Sequence, residues 1–173
     1  MCPPTARADW IIYTDASSIS EIIAAVAFKG TPAGFKSASE AFSAKVPSVW
    51  KHQSRCANRI YGFELLAPVA FLWTWRRGLA GKKVIIFIDN NAALSALIRG
   101  DSVSGIAAAL VAAFWFIAHE ANICIWLARV SSKLNVAGLP TRYRKILSQN
   151  KPTLKFKNLF QLLPASLRWR VVV

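Results

Sequence analysis

The stretch Ile11-Ile12-Tyr13-Thr14-Asp15-Ala16-Ser17 is an apolar, β-branched run that ends in small residues around a single acid. Such a run predicts a strand at residues 10–18 that is buried on both faces, with Asp15 near its C-terminal end. A second apolar run, at residues 82–89, predicts another central strand and ends in Asp89. Because both acids stand at the ends of neighbouring central strands, we expect their side chains at the same edge of one sheet.

A third acid, Glu64, opens the stretch Glu64-Leu65-Leu66-Ala67. Apolar residues recur at helical spacing from residue 60 to 79 and cover nearly the whole circumference, which predicts a helix packed on several sides. Pro68 lies four residues after Glu64, and proline is best tolerated in the first turn of a helix. We therefore expect Glu64 at or just before the helix start, where the helix dipole favours a carboxylate.

The remaining elements are predicted from the same kinds of pattern. They are strands at 21–29, 35–44 and 123–130 and helices at 92–99 and 103–121, the first of these helices capped by Asn90 or Asn91. The resulting order, β-β-β-α-β-α-α-β, predicts an antiparallel three-strand meander that continues into a mixed α/β sheet flanked by helices. The chain contains no glycine-rich phosphate loop, so we do not expect an enzyme with a nucleotide cofactor.

The charge of the chain favours an anionic partner. It contains 22 basic and 8 acidic residues, a formal net charge of +14, and nucleic acid is the commonest partner of such a protein. A basic surface that is merely solvated is the alternative. Ten Lys and Arg residues and no acid follow Glu120, so we expect this last third of the chain to face the polyanion.

The three cysteines, Cys2, Cys56 and Cys124, are widely spaced and form no Cys-x-x-Cys or Cys/His cluster. This pattern argues against a disulfide framework and against a zinc site, and it favours an intracellular location, cytoplasmic or nuclear. The uncharged stretch 102–118 is marginal in length for a membrane span and is better explained as a buried helix. We therefore expect no membrane association.

Three acids brought together would repel one another, and such a cluster is costly unless a cation neutralises it. Mg²⁺ is the natural occupant, because it prefers hard oxygen ligands and bridges carboxylates to phosphate. Two such ions roughly 3.5–4 Å apart can activate water and stabilise the leaving oxygen in phosphodiester hydrolysis. Taken alone, an Asp at the end of a strand is more often a turn or cap residue than a metal ligand. A Glu at the start of a helix likewise usually interacts with the helix dipole. The prediction rests on their joint occurrence.

These motifs resemble the ribonuclease H domain of retroelement reverse transcriptases, in which a Thr-Asp-Ala-Ser strand comes first and an Asn-x-Ala-Asp-x-x-Ser/Thr-Arg box comes last. The resemblance covers about residues 10–142 and places the catalytic and metal-binding acids of the family on Asp15, Glu64 and Asp89. It implies a five-stranded sheet flanked by helices. It also implies cleavage of the RNA strand of RNA–DNA hybrids with Mg²⁺ or Mn²⁺, two ions being expected in the family.

The last box departs from the family at its acid. Asn135, Ala137, Pro140, Thr141 and Arg142 match, but Gly138 stands at the position of the fourth carboxylate. In the family that carboxylate helps to hold the ion that activates water, so its loss implies a weakened ion site and reduced activity. Three explanations stay open: decay of a degenerate element, a deliberate inactivating change, or a natural form that works with three carboxylates and water.

Further predictions concern binding and domain organisation. Asn90, Lys133 and Arg142 are candidates for contacts to nucleic acid. We predict an N-terminal extension at 1–9, the ribonuclease H-like domain at 10–142 and a basic C-terminal extension at 143–173. The rest of a reverse transcriptase polyprotein is a candidate partner. A catalytically inactive nucleic-acid-binding module is the rival interpretation, and a purely structural interaction domain is a more distant one.

Overall fold

A computed structural model describes residues 7–31, 34, 38–46, 59–103 and 105–142, and the structural statements below concern these residues. The elements in chain order are β1 (Trp10–Ser17), β2 (Ile22–Lys29), β3 (Glu40–Lys45), α1 (Arg59–Leu79), β4 (Lys83–Ile88), α2 (Asn91–Arg99), α3 (Gly105–Glu120), β5 (Cys124–Arg129) and α4 (Gly138–Arg142). The predicted order is confirmed, and α4 is an additional short helix within the glycine-bearing segment.

The five strands form one mixed sheet in the order β3-β2-β1-β4-β5. Strand β2 pairs antiparallel with both β1 and β3, whereas β4 pairs parallel with both β1 and β5. Helix α1 follows β3 and leads into β4, so this connection carries the chain from one edge of the sheet past β2 and β1 to the other side of β1. The predicted five-stranded sheet, with an antiparallel meander and two parallel strands, is confirmed.

The core lies between the sheet and helices α1 and α3. The side chains of Leu65, Leu66 and Phe71 on α1 are completely buried, as are Ile12 of β1 and Ile86 of β4. Apolar residues cover most of the circumference of α1, and the helix packs on the sheet and on α3 at once. The predicted helix packed on several sides is therefore observed. This packing places α1 against β1 and its two neighbours, β2 and β4.

The expected place of Glu64 at the helix start is wrong. Helix α1 begins at Arg59, so that Glu64 is its sixth residue and Pro68 lies inside the helix. Proline inside a helix removes one backbone hydrogen bond, but α1 is held by burial along its length, which outweighs this local cost. Glu64 consequently does not lie in the first turn, and the predicted stabilisation by the helix dipole does not apply.

Two smaller predictions also differ from the structure. Strand β3 begins at Glu40, later than the predicted residue 35, and residues 35–37 lie outside the described part. Cys124 is disulfide-bonded, although the spacing of the cysteines argued against a disulfide. Wide spacing in sequence does not exclude contact between cysteines in the folded chain.

The predicted extensions lie largely outside the described residues, which end at Arg142 and begin at Arg7. The domain boundaries at residues 9 and 142 therefore stay predictions. Within the described ranges, no helix combines the length and hydropathy needed to cross a membrane.

Candidate metal centre

Two of the three acids are brought together by the register of the central strands. Tyr13 of β1 is paired with Phe87 of β4, and two residues further along each strand come Asp15 and Asp89. Because β1 and β4 are parallel, both acids arrive at the same end of the sheet. Asp89 lies immediately after the last residue of β4, at the point where the chain turns into α2.

Glu64 joins them from the helix that covers these strands. One carboxylate oxygen from each of Asp15, Glu64 and Asp89 lies within 4.8 Å of the others. Asp15 and Glu64 are buried, with exposed fractions of 6% and 3%, and Asp89 is half-buried. Within residues 7–31, 38–46, 59–103 and 105–142, no further His, Cys, Asp or Glu joins this cluster. Convergence of the three predicted acids is therefore observed.

The electrostatics of the cluster are unfavourable without a cation. The pKa of Glu64 is raised from 4.5 to about 9, chiefly by burial and then by the nearby charges of Asp89 and Asp15. A hydrogen bond from the backbone N–H of Ala16 opposes this rise in pKa. In the absence of a metal, the Glu64 carboxyl group accordingly keeps its proton at neutral pH.

Two oxygens of the cluster lack hydrogen-bond donors. Glu64 Oε2 and Asp89 Oδ1 are buried, and neither has a partner among the described residues. Buried polar atoms are nearly always satisfied, and an exception in a cluster of acids calls for an explanation. Three carboxylates are hard oxygen donors, so the donor set fits Mg²⁺ or a similar divalent cation.

The segment with Gly138 lies beside the first acid. Asn135 Nδ2 donates to the backbone oxygen of Thr14 at 2.8 Å, and Asn135 Oδ1 accepts from the backbone N–H of Ala137 at 3.2 Å. Gly138 is buried and begins α4. The fourth box is thus attached to β1 at the residue before Asp15, even though its acid is missing.

Sequence reasoning gave Thr141 no role beyond its match to the box. The Thr141 hydroxyl donates to Asp15 Oδ2 at 2.5 Å, and both residues are buried. The threonine is therefore in direct contact with the acid cluster. Its place three residues after the missing acid was the available signal, because residues three apart lie on the same side of a helix.

The three residues predicted to contact nucleic acid lie on three different parts of the fold. Asn90 is half-buried and caps α2, since its Oδ1 accepts from the backbone N–H of Ala93 at 3.0 Å. Lys133 is exposed in the turn between β5 and α4. Arg142 ends α4, and its side chain lies outside the described part of the chain. Asn90 directly follows Asp89, so it is the one of the three that adjoins an acid in sequence.

Comparison with known proteins identifies the fold. No family model matches the chain, and no curated protein matches it. Among solved structures, it is similar to the N-terminal ribonuclease H domain of a Mycobacterium tuberculosis protein, studied as a fusion with maltose-binding protein. The two chains are 11% identical, the match covers 81% of this chain and 98% of that chain, and the TM-score is 0.52. The chain has a ribonuclease H-like fold.

Within this ribonuclease H-like fold, the acids occupy the end of the two central strands and the helix that crosses them. The cluster can hold a divalent cation, because it combines three carboxylates with two unsatisfied oxygens. It can also release a proton when a cation binds, since Glu64 is protonated at neutral pH without one. Both are properties of a site that binds a divalent cation.

Proposed function

We propose that this protein is a ribonuclease H-type phosphodiester hydrolase that cleaves the RNA strand of RNA–DNA hybrids. The observation that carries the proposal is the convergence of Asp15, Glu64 and Asp89 within 4.8 Å at one end of a ribonuclease H-like sheet. The formal charge of +14 supports a nucleic acid as the substrate. The retroelement motifs support an origin in a reverse transcriptase polyprotein. The proposed site of action is the cytoplasm or the nucleus.

In the proposed mechanism the chain supplies ligands and charge. The parallel register of β1 and β4 places Asp15 and Asp89 side by side, and the buried helix α1 positions Glu64 next to them. A divalent cation bound there, Mg²⁺ or Mn²⁺, would activate water and stabilise the leaving oxygen. Glu64 would give up its proton when a divalent cation binds, and the cation would then offset the negative charge of the three carboxylates.

Contacts to the nucleic acid are assigned to Asn90, Lys133 and Arg142. Lys133 is exposed and can contact a phosphate without reading sequence. Asn90 Oδ1 caps α2, so the side-chain NH₂ group is the one proposed to donate to the substrate. The proposed domain that carries these residues spans 10–142, with extensions at 1–9 and 143–173.

A second candidate function is favoured by one observation, the glycine at position 138. Without an acid there, the cluster contains three carboxylates, and a catalytically inactive nucleic-acid-binding module is the alternative. This rival predicts salt-sensitive binding to a hybrid without metal-dependent turnover. It also predicts that restoring an acid at position 138 has no effect.

Hydrolysis of an end-labelled RNA–DNA hybrid with Mg²⁺ or Mn²⁺ tests the proposal. We expect weak cleavage by the natural chain, faster cleavage by Gly138→Asp and none by Asp89→Asn. Asp101→Asn is the matched control, because Asp101 is exposed and bonds the backbone N–H of its own neighbour Ser102. A folded Gly138→Asp protein that binds the hybrid but does not cleave it would contradict the nuclease and favour the rival.

A further inference from the structure

We propose that Thr141 is a positioning residue for the metal centre, whose hydroxyl group holds the Asp15 carboxylate in the orientation needed to bind a cation. The inference rests on the proposed function, since it assumes that Asp15, Glu64 and Asp89 bind a divalent metal. It assigns the fourth segment a role that does not require the acid missing at Gly138.

The contact itself is short and protected from solvent. Thr141 Oγ1 lies 2.5 Å from Asp15 Oδ2, within the range of hydroxyl-to-carboxylate hydrogen bonds. The exposed fractions are 2% for Thr141 and 6% for Asp15. Water therefore competes little for either group, and the bond joins residues that are 126 positions apart in sequence.

The segment that carries the hydroxyl group is attached to the rest of the fold by further hydrogen bonds. Thr141 Oγ1 also lies 3.0 Å from the backbone oxygen of Gly138, but the charged and nearer Asp15 Oδ2 is the preferred acceptor of its single hydrogen. Asn135 fastens this segment to β1 through the backbone oxygen of Thr14. Ser20 Oγ donates to the backbone oxygen of Thr141 at 3.0 Å, a bond that stabilises the main chain and does not involve the hydroxyl group. A donor fixed in this way restricts the rotation of the Asp15 carboxylate.

The chemistry of the contact suits a site made of three acids. A hydroxyl donates to a carboxylate without adding a fourth negative charge and without bringing a positive charge that would compete with the cation. Groups that hydrogen-bond to metal ligands in this way orient them, and their removal typically weakens metal binding by about 10- to 100-fold. A threonine that merely attached α4 to the sheet would contribute to stability alone.

Metal affinity separates these two roles. We would titrate the full chain, stripped with EDTA, with Mn²⁺ by calorimetry and compare Thr141→Val, which lacks the hydroxyl, with Thr141→Ser, which keeps it. We expect Thr141→Val to weaken Mn²⁺ binding by about 10-fold or more and Thr141→Ser to stay within about 3-fold of the natural chain. Thr141→Ala repeats the comparison if Thr141→Val does not fold.

Ser20→Ala is the matched structural control, because Ser20 bonds the backbone of Thr141 and does not take part in the acid cluster. It should lower the melting temperature measured in EDTA without a comparable loss of Mn²⁺ affinity. Equal Mn²⁺ affinities of Thr141→Val and the natural chain would overturn the positioning role, whatever the hydrolysis results. If the Mn²⁺ affinity depends on the Thr141 hydroxyl group but the natural chain cleaves no hybrid, only the nuclease proposal is contradicted. Absence of Mn²⁺ binding by the natural chain would overturn both.

Discussion

Glu64 Oε2 and Asp89 Oδ1 are buried in one carboxylate cluster, and neither oxygen has a hydrogen-bond partner among the described residues. Glu64 reaches this position from the second turn of α1, and Asp89 from the end of β4. Their proximity raises the pKa of Glu64, after the larger effect of burial. The pair is therefore strained electrostatically until a proton or a cation neutralises it.

Divalent metal should stabilise the folded chain. A ligand that binds only the folded state at a hundred times its Kd adds about 2.7 kcal/mol to the free energy of unfolding. We expect Mg²⁺ or Mn²⁺ to raise the melting temperature of the natural chain and of Asp101→Asn. Asp89→Asn should show little or no increase, because it loses a ligand. Equal increases in all three proteins, measured by calorimetry, would show that the metal binds elsewhere.

The stability of the metal-free chain should fall as the pH rises from about 4.5 towards about 9. The folded pKa of Glu64 is raised to about 9 from 4.5, so between these values the folded state binds a proton that the unfolded state has released. Stability from this group is complete below pH 4.5 and is lost as the pH rises through the folded pKa. Urea unfolding in EDTA should show this fall in the natural chain.

The Glu64→Gln variant should lack that part of the pH dependence, since its side chain does not titrate. Glu120→Gln is the matched control, because Glu120 is exposed at the end of α3. It should retain the fall in stability. If the stability of the natural chain varied with pH in the same way as that of Glu64→Gln, the pKa of Glu64 would not be raised by burial and by the neighbouring acids.

Asn135→Ala should destabilise the fold. The substitution removes the bonds to the backbone oxygen of Thr14 and from the backbone N–H of Ala137, both of which are buried. Leaving such groups unsatisfied costs about 1–3 kcal/mol in the free energy of unfolding. Denaturation in urea measures the loss. Asn91→Ala, at an exposed position, should change stability by less than about 0.5 kcal/mol.

Asn90 has two roles that substitution can separate. Asn90→Ala should cost about 1 kcal/mol of stability, because it removes the side-chain oxygen that caps α2. Asn90→Ser keeps a capping oxygen and should stay close to the natural chain in stability. It should nevertheless bind a labelled hybrid more weakly in fluorescence anisotropy, because it loses the side-chain amide. Unchanged hybrid affinity of Asn90→Ser would leave Asn90 with the capping role alone.

The elements of the fold were largely predictable because their signals are local. The apolar runs that end in Asp15 and Asp89 have the length and β-branched composition of central strands, and both form them. The apolar circumference of α1 likewise predicted a helix packed on several sides. The start of that helix was not predictable from Pro68, because burial of the helix overrides the local cost of an interior proline.

The surroundings of the tryptophans and cysteines were less predictable. Cys124 is disulfide-bonded although no spacing pattern indicated it. Trp115 and Trp126 lie in apolar elements, which favours a core position, yet their exposed fractions are 36% and 38%. Local composition does not say which face of an edge strand or outer helix another element will cover.

Sequence by itself determined the identity and order of the three acids, the elements that carry them and the glycine in the fourth box, because these depend on residue type and local periodicity. Only the tertiary structure decided that Asp15 and Asp89 lie level across parallel strands, that Glu64 enters from within a helix, and that Thr141 donates to Asp15. Strand register and contacts between residues more than a hundred positions apart arise from packing of the whole domain, and no local pattern encodes them.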